Sequence, residues 1–408
     1  MDKRDGVWCF RSGANSAVTD DTYRAGGGVI GCTCAYYLTR HPLYDRKTHS
    51  ITIIEAVKIA AGSSGKAGGL LQIDAEPACI SPLSFKLHAQ LAEEYGGHKR
   101  WGYRRVHVGE TDLDGRGGMN NAAATENYPS SLDWLLPSSI KSYKKVGTPE
   151  DSAQVHPYFF TTAVAEMAQE KGVKIIYGTV QGIRYNADLT NVEGVAYYAT
   201  PTSQDIIVVP ATDVIVAAGP WTSSIIPSVA VGGAKSHGVV IKPSRPISNN
   251  CLWASIKPGL SGHPRRSINL ELYPRPDGTL YSCNWADADA VLPASSDLVD
   301  VDEGKCKEIC DALGGISDEL LGAEVLVSQA GHQPVILKEG RRAKNSGPLL
   351  GRTGVKGVLL ATGHDSWGVQ NAPATGLLAS EVVFEGAPKS ADICSLDPRT
   401  IVQKSLLV

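Results

Sequence analysis

The sequence predicts an α/β fold in which a nucleotide-binding domain, assembled from separated pieces of the chain, carries an inserted antiparallel-sheet α+β domain. A glycine-rich turn, Gly26–Gly31, opens a helix-like run, as in dinucleotide-binding units. Two fully apolar runs, Val214–Gly219 and Gly357–Gly363, end in glycine and are typical of buried parallel strands. Between them, Leu270–Cys283 alternates around the turn tripeptide Pro276-Asp277-Gly278, which indicates an antiparallel hairpin.

Composition narrows the range of functions. The 408 residues suffice for two domains, and 42% hydrophobic with 20% charged residues is typical of a soluble protein with a sizeable core. A net charge of −3 argues against nucleic-acid or anionic-membrane binding, so a small molecule is the expected partner. No apolar run reaches the roughly 18 residues of a membrane span, and the first twenty residues lack a signal-peptide core.

The nine cysteines are scattered. Neither Cys32-x-Cys34 nor Cys306-x-x-x-Cys310 is joined by the second Cys or His pair that a zinc site needs. We therefore expect no metal site, reduced buried thiols and a cytoplasmic location.

The glycine turn fits the dinucleotide fingerprint G-x-G-x-x-G through Gly26, Gly28 and Gly31. The apolar strand Ser50–Glu55 follows the helix, and Glu55 stands 24 residues after Gly31, close to the roughly 20-residue spacing of that fingerprint. A diphosphate would meet the N–H groups at the helix start, and Glu55 would accept the ribose hydroxyls. The alternatives are a purely structural turn and a solvated acid at a strand end.

The segment before this turn is atypical. A buried central strand should carry aliphatic residues, but Asp20–Arg24 is polar. Residues 1–25 are therefore set apart as an N-terminal segment that reflects either an incorrect gene model or a weakened domain.

The remaining elements follow in order. Helical spacing predicts helices over Ser84–Tyr95, ended by Gly96-Gly97, over 163–172, and from about Ala372 to Phe384 with Pro373 in its first turn. Strands are predicted over 173–178, 194–200 and 205–211. These elements give a discontinuous nucleotide-binding domain over 26–95, 150–235 and 335–408, and a substrate domain over 96–149 and 236–334.

A run of small residues, Ile59–Leu71, follows Glu55. Such residues suit a chain that lies against a flat ring and a diphosphate, and Ser63, Ser64 and Lys66 could donate to phosphate oxygens. A flexible surface loop is the alternative.

Several motifs together resemble one family. The runs GGGVIG, AGSSGKAGGLL, AQVHPYFFT, VAAGPW, LYPRPDGTLY and ATGHDSWGVQNAPATG, with Glu55, are similar to FAD-dependent oxidoreductases of the D-amino-acid oxidase superfamily, in its fungal branch. The resemblance extends from about Gly26 almost to the C-terminus. It implies a FAD-binding Rossmann-like domain and an enzyme that transfers a hydride from a C–N bond to flavin.

The resemblance also implies the cofactor contacts. The glycine turn would hold the diphosphate, and Glu55 would bind the ribose. The small-residue segment would line the phosphate and the ring, and Val180 would contact the adenine through its backbone. The residues from Gly363 to Val369 would surround the flavin. The full set is Gly26, Gly28, Val29, Ile30, Gly31, Glu55, Ala56, Ser64, Gly65, Lys66, Ala67, Gly68, Gly69, Val180, Ala218, Gly219, Trp221, Gly363, His364, Trp367, Gly368 and Val369.

The sequence departs from the family pattern at two places. Gln333 stands where related oxidases of simple amino acids often have a carboxylate-binding Arg, and an amide cannot replace that charge. The strand 281–284 lacks the Lys that helps O2 react in some amine oxidases. Gly331 and His332 replace the Cys and Tyr of some relatives, so we expect FAD to be bound noncovalently.

These features predict a FAD-dependent oxidoreductase for an amine or imine-type small molecule, with O2 or another electron acceptor. His364, His332 and Gln333 are the candidates for orienting the substrate. A regulatory flavoprotein with little turnover is the main alternative, and an NAD-dependent dehydrogenase is a distant third. We expect Arg275, beside the hairpin turn, to lie at the surface; the alternative is that it reaches into the pocket and supplies the missing positive charge from another direction.

Overall fold

The computed structural model describes residues 8–9, 23–116, 128–200, 202–257, 267–284, 286–287, 289–343 and 347–401. Of the first 25 residues it describes only the backbone of two short strands. The described residues form four β-sheets and nine α-helices. No helix in this part of the chain has the length and apolarity to cross a bilayer.

The first sheet is mostly parallel and contains seven strands. They are β1 (Trp8–Cys9), β2 (Tyr23–Ala25), β3 (Thr52–Glu55), β9 (Lys174–Tyr177), β13 (Val214–Val216), β20 (Leu349–Arg352) and β21 (Val358–Thr362). β2 pairs in parallel with both β3 and β13, β3 pairs in parallel with β9, and β13 with β21. β1 and β20 pair antiparallel to their neighbours. The strand that the polar sequence made doubtful is therefore present inside the sheet, whereas Asp20–Thr22 lie outside the described residues.

The second large sheet has eight strands in the order β19-β18-β14-β17-β16-β15-β6-β7. Their bounds are β6 (His107–Asp114), β7 (Ile140–Gly147), β14 (Val231–Lys242), β15 (Asn250–Lys257), β16 (Ile268–Pro274), β17 (Leu280–Asn284), β18 (Glu324–Lys338) and β19 (Arg341–Arg342). All pairs are antiparallel except β15 with β6. The predicted hairpin forms β16 and β17, and Gly278 in its turn has φ +82°.

Two small antiparallel sheets complete the β-structure. One contains β10 (Thr179–Tyr185), β11 (Val192–Tyr198) and β12 (Ile206–Pro210), and the other β4 (Leu70–Gln72), β5 (Arg104–Arg105) and β8 (Ser152–Gln154). The helices are α1 (Val29–Leu38), α2 (Ser63–Lys66), α3 (Ser81–Tyr95), α4 (Gly97–Arg100), α5 (Pro157–Glu170), α6 (Thr222–Ile225), α7 (Glu303–Ile316), α8 (Gly368–Glu385) and α9 (Pro398–Ile401). This mixture of a parallel sheet and an antiparallel sheet with helices confirms the predicted fold class.

Helix α8 begins at Gly368, four residues before the predicted start at Ala372, so Pro373 lies inside the helix rather than in its first turn. Proline has no N–H to donate to the carbonyl four residues earlier, which is that of Val369. The ring of His88, on α3, lies with Nε2 at 2.9 Å from this carbonyl oxygen and satisfies it instead. The contact between α3 and α8 thus allows Pro373 to lie inside a helix, whereas local sequence rules place a proline in the first turn.

The described residues form three hydrophobic clusters, of which two are large. The larger core packs α1, α3, α5 and α8 around the parallel sheet. The smaller core packs α7 against one face of the eight-stranded sheet, for example Ile309 and Leu313 against Leu252 and Leu270. Because side chains alternate along a strand, Trp253 and Glu271 point to the other face. Strands β14 and β18 run continuously through residues 235 and 334, so two predicted domain boundaries fall inside strands.

Candidate active site

The glycine turn after β2 is held by side chains from two neighbouring segments. Gly26 has φ +112°, a conformation that favours glycine. The Gly27 N–H donates to Glu55 Oε2 at 2.6 Å, and the Val29 N–H at the start of α1 donates to the Ser64 hydroxyl at 2.9 Å. The turn therefore brings the positive end of α1, the end of β3 and the small-residue segment to one place.

Glu55 is a buried acceptor rather than a solvated acid. Its side chain is 6% exposed, and Oε1 accepts from the Val57 N–H at 3.0 Å. Burial raises the pKa of this carboxyl group, while the backbone N–H groups of Val57 and Gly27 lower it. A carboxylate oxygen can also accept from a ribose hydroxyl. The carboxylate has an additional role that the sequence did not reveal, because it fixes the Gly27 N–H of the turn.

The small-residue segment runs between the parallel sheet and the eight-stranded sheet. The Lys66 carbonyl accepts from the Tyr281 hydroxyl at 2.9 Å and from Gln329 Nε2 at 2.8 Å. The Lys66 ammonium donates to the Ala330 carbonyl at 2.8 Å, and burial lowers its pKa. Lys66 thus ties the segment to β18, and its expected role as a phosphate donor stays a prediction.

A first cleft runs along the carboxyl ends of the parallel strands, where α/β sheets bind ligands. It is lined by fourteen of the predicted site residues: Gly26, Gly28, Val29, Ile30, Glu55, Ser64, Ala67, Ala218, Gly219, Trp221, Gln333, His364, Gly368 and Val369. These residues come from separate parts of the sequence. Their convergence on one cleft supports the cofactor roles that the resemblance implies, although those roles stay predictions.

A second cavity of about 680 Å³ lies between the small-residue segment and the eight-stranded sheet. Four further predicted residues line it, namely Lys66, Gly68, Gly69 and Trp367. Residues that sequence reasoning did not select also line it: Glu110, Trp253, Glu271, Tyr273, Cys283, Gln329 and Arg342. The alternation of β16 places Glu271 and Tyr273 on one face and could have identified them as a pair.

The two spaces share residues and therefore meet. Ala67, Gln333 and Val369 line both of them. At this junction Arg342 makes a two-pronged ion pair with Asp365, at 2.7 Å to Oδ1 and 2.6 Å to Oδ2. A flat cofactor end in the first cleft would thus contact a molecule held in the second.

His364 lines the first cleft and lies between β21 and α8 in the sequence. Its Nε2 is 3.0 Å from the Thr375 hydroxyl, and Nδ1 has no hydrogen-bond partner within the described structure. Burial lowers the pKa of His364 to about 3, so the ring is neutral at ordinary pH. It can orient a bound group by hydrogen bonding but is a weak base.

Six predicted site residues line neither space: Gly31, Ala56, Gly65, Val180, Gly363 and His332. Val180 is fully buried in the β10–β11 ladder, and a Cβ on Gly65 would lie 2.2 Å from the Ala60 carbonyl oxygen. His332 alternates with Gly331 and Gln333, both of which line the cavity, and so points to the opposite face of β18. His332 thus lines neither space, and its expected role in orienting a substrate stays a prediction.

Arg275 is buried, contrary to the expectation of a surface position. It is 8% exposed, and Nη1 lies 3.3 Å from His156 Nε2. Its guanidinium carbon is 5.0 Å from the centroid of the Tyr281 ring, which lines the cavity. Arg275 itself lines neither space, so it stands behind Tyr281 rather than in contact with a substrate.

The residues present fit an FAD molecule. Gly28 and Ile30 at the start of α1 line the cleft and carry backbone N–H groups that suit a diphosphate. Glu55 lies in the same cleft with carboxylate oxygens that suit a ribose, and the α8 start at Gly368 and Val369 also lines it. Gly68 packs directly against Tyr273, because a Cβ on Gly68 would come within 2.2 Å of the ring. Among the described residues, no group of three or more His, Cys, Asp or Glu converges as in a metal site.

Comparison with known proteins agrees with this geometry. Residues 25–382 match the family described as FAD dependent oxidoreductase. The chain is 31% identical over 389 residues to the oxidoreductase-family protein C1F5.03c of Schizosaccharomyces pombe, covering 91% of this chain and 96% of that protein. It is 29% identical over 504 residues to the oxidoreductase-family protein TDA3 of Saccharomyces cerevisiae, covering 94% of this chain and 95% of that protein.

A solved structure shows the same fold. Glycine oxidase from Bacillus cereus superimposes with a TM-score of 0.64 at 20% sequence identity, covering 88% of this chain and 93% of that protein. The sequence match over most of the chain, together with the cleft that fits FAD, leads to one conclusion. This chain belongs to the family of FAD-dependent oxidoreductases that includes D-amino-acid oxidase.

Proposed function

We propose that the chain transfers a hydride from the C–N bond of a small amine or imine-type molecule to FAD, and that electrons then pass to O2 or another acceptor. The observation that carries this proposal is the junction of the two spaces at Ala67, Gln333 and Val369. A small molecule in the 680 Å³ cavity would lie against the end of the cofactor cleft. The similar fold of glycine oxidase supports a C–N donor.

The chain's own residues would position the reactants. FAD supplies the hydride acceptor, and transfer from a neutral amine depends on orientation more than on a base. The neutral ring of His364 and the amide of Gln333 both line the cofactor cleft and can hold groups by hydrogen bonds. We propose that FAD is bound noncovalently. Cys283, which lines the cavity, donates its thiol to Glu271 Oε2 at 3.6 Å instead of pointing toward the cofactor cleft.

Among the described residues, no unpaired Arg lines the cavity to hold a substrate carboxylate by two parallel hydrogen bonds. Lys66 donates to the Ala330 carbonyl, Arg342 pairs with Asp365, and Arg275 stands behind Tyr281. Burying an unpaired carboxylate beside Gln333 would cost several kcal/mol. The proposed substrate is therefore an amine without a free carboxylate near the reacting carbon.

The proposal is tested by anaerobic flavin reduction. Purified holoprotein is mixed with a panel of amines, and with amino acids and their methyl esters, while the flavin absorbance is recorded. We expect esters to reduce the flavin at least about tenfold faster than the free acids, since about 1.4 kcal/mol corresponds to one factor of ten.

Replacing Gln333 with Arg supplies a matched comparison. This variant should reverse the preference for esters, because it restores a fixed cation at the junction. A flavoprotein that no member of the panel reduces would instead support the regulatory alternative. Faster reduction of the wild type by free acids would contradict the proposal that the substrate lacks a free carboxylate near the reacting carbon.

A further inference from the structure

One cross-strand row of side chains forms the floor of the cavity. The registers of six neighbouring strands align Glu110, Trp253, Glu271, Cys283, Gly238 and Gln329, and all six line the cavity. Directly opposed residues on neighbouring strands have Cβ atoms roughly 5 Å apart. The row therefore presents a continuous surface to a bound molecule, with Glu271 near its centre.

Glu271 receives hydrogen bonds that orient its carboxyl group. The Cys283 thiol donates to Oε2 at 3.6 Å. Burial raises the pKa of Glu271, and hydrogen bonds from the Tyr273 hydroxyl, two residues along the same strand face, and from the Cys283 thiol partly offset that rise. The Tyr273 hydroxyl in turn accepts from Trp253 Nε1 at 3.1 Å. Both neighbours donate to Glu271, an arrangement that suits an ionised acceptor.

Within the described structure, no positive side chain balances this carboxyl group. Burial raises the pKa of Glu271, and the other groups that influence it are Tyr273 and Cys283 rather than a Lys or Arg. The two cations that line the same cavity, Lys66 and Arg342, bind the Ala330 carbonyl and Asp365. Glu271 is only partly buried and lines the cavity, so a ligand of opposite charge could reach it and stabilise its ionised form.

We propose that Glu271 binds the ammonium group of the substrate, so that the cavity selects protonated amines over neutral and anionic molecules of the same shape. This inference rests on the proposed function, since it names the substrate class of the same cavity. Hydride transfer needs the lone pair on nitrogen, so the bound ammonium would first pass one proton to the Glu271 carboxylate and then react as the neutral amine. An aliphatic amine carries a positive charge at neutral pH. Its three N–H donors would find an acceptor in Glu271 on an otherwise aromatic floor formed by Trp253 and Tyr273.

The test uses probes that cannot be oxidised. tert-Butylammonium has no hydrogen on the carbon that bears nitrogen, tert-butanol is its neutral counterpart, and pivalate is an anion of similar shape. Each is titrated into the holoprotein at constant pH and ionic strength, with flavin absorbance and thermal shift as readouts. We expect tert-butylammonium to bind at least about tenfold more tightly than the other two, as a hydrogen bond to a charged group implies.

Two variants locate the effect. E271Q keeps the shape of the side chain and should abolish the preference for the cation. E110Q removes a carboxylate that lines the same cavity but is 58% exposed and paired with Lys144 at 3.5 Å, so it should weaken cation binding less. Equal losses in both variants would overturn the proposal, because they would indicate a general attraction by negative charge.

The outcomes separate this inference from the proposed function. If oxidisable amines fail to reduce the flavin but tert-butylammonium still binds through Glu271, the proposed function fails and the ammonium site remains. If amines reduce the flavin but the wild type does not prefer the cation, the ammonium site fails. If E271Q does not fold with FAD, the affinities of the wild type for the three probes test the proposal instead. Tighter binding of tert-butanol or pivalate than of tert-butylammonium would overturn it.

Discussion

The cofactor cleft and the cavity floor are built in different ways. The cleft is formed by turns at the ends of parallel strands, where glycines and N–H groups such as those of Gly27 and Val29 are held by Glu55 and Ser64. The floor is formed by side chains from six strands whose positions extend from Glu110 to Gln329. The first surface depends on the path of the backbone, and the second on side chains mounted on a fixed backbone.

This difference predicts two kinds of mutational effect. A change in the backbone-built region forces the chain to move, so it should lower stability and cofactor affinity together. A change on the floor leaves strand pairing intact, so it should alter which ligand binds while FAD remains bound. Selectivity can thus vary within one fold through the floor alone. The following substitutions test that separation.

The largest effect is expected for Gly69→Ala. Gly69 has φ +89°, and a Cβ there would lie 2.0 Å from the Val155 carbonyl oxygen, so the small-residue segment must shift. We expect a loss of about 2 to 5 kcal/mol in the free energy of unfolding, from backbone strain and overpacking together. Urea unfolding followed by circular dichroism measures it.

Gly182→Ala is the matched control for this prediction. Gly182 lies in β10, has no atom within 4 Å of a Cβ position and does not have the positive φ of Gly69. Its replacement should change the unfolding free energy by less than about 1 kcal/mol. Similar losses in the two variants would show that the close approach at Gly69 is unimportant.

The next effect is expected for Glu55→Ala. This change leaves the N–H groups of Gly27 and Val57 without their acceptor and removes the expected ribose contact. Hydrogen bonds to a charged group contribute about 1.5 to 3 kcal/mol, so FAD should bind about 10- to 100-fold more weakly. Fluorescence titration of the apoprotein with FAD measures the affinity.

At saturating FAD, the Glu55→Ala variant should keep the cation preference of the wild type, because Glu55 does not line the cavity. Glu93→Ala, at an exposed position on α3, is the control and should leave FAD affinity unchanged. An unchanged FAD affinity in Glu55→Ala would mean that this buried acid has no part in cofactor binding.

The same contrast explains what the sequence could predict. The unit of β2, turn, α1 and β3 is local, so the glycine spacing and the acid at Glu55 identified it. The helix start at Gly368 was missed because it depends on His88, nearly three hundred residues away in sequence, which satisfies the Val369 carbonyl.

The floor was missed for a related reason. The alignment of Glu271 with Trp253 and Cys283 is set by strand order and register, which no short motif contains. His332 and Gln333 are adjacent in sequence, and only the pleat of β18 decides that Gln333 lines the cavity while His332 does not. Most of residues 1–25 fall outside the described residues. The interpretation of this segment as an incorrect gene model or a weakened domain therefore stays a prediction.

The smallest effect is expected on the floor, from changes that act on Glu271 through its neighbours. Tyr273→Phe removes a donor that favours the ionised form of Glu271, so the carboxyl group should hold its proton to higher pH. Ammonium binding requires the ionised form and is lost as pH falls through this pKa. In Tyr273→Phe that loss should therefore begin at a higher pH than in the wild type.

Trp253→Phe removes only the donor to the Tyr273 hydroxyl, so its effect should be smaller still. One neutral hydrogen bond contributes about 0.5 to 1.5 kcal/mol, and only part of that reaches Glu271, so tert-butylammonium should bind about two- to fivefold more weakly. Titrations over a range of pH should place the midpoint of binding for Trp253→Phe between those of the wild type and Tyr273→Phe. A purely structural role for Trp253 would lower affinity at every pH without moving this midpoint, and that result would contradict the proposed chain of hydrogen bonds.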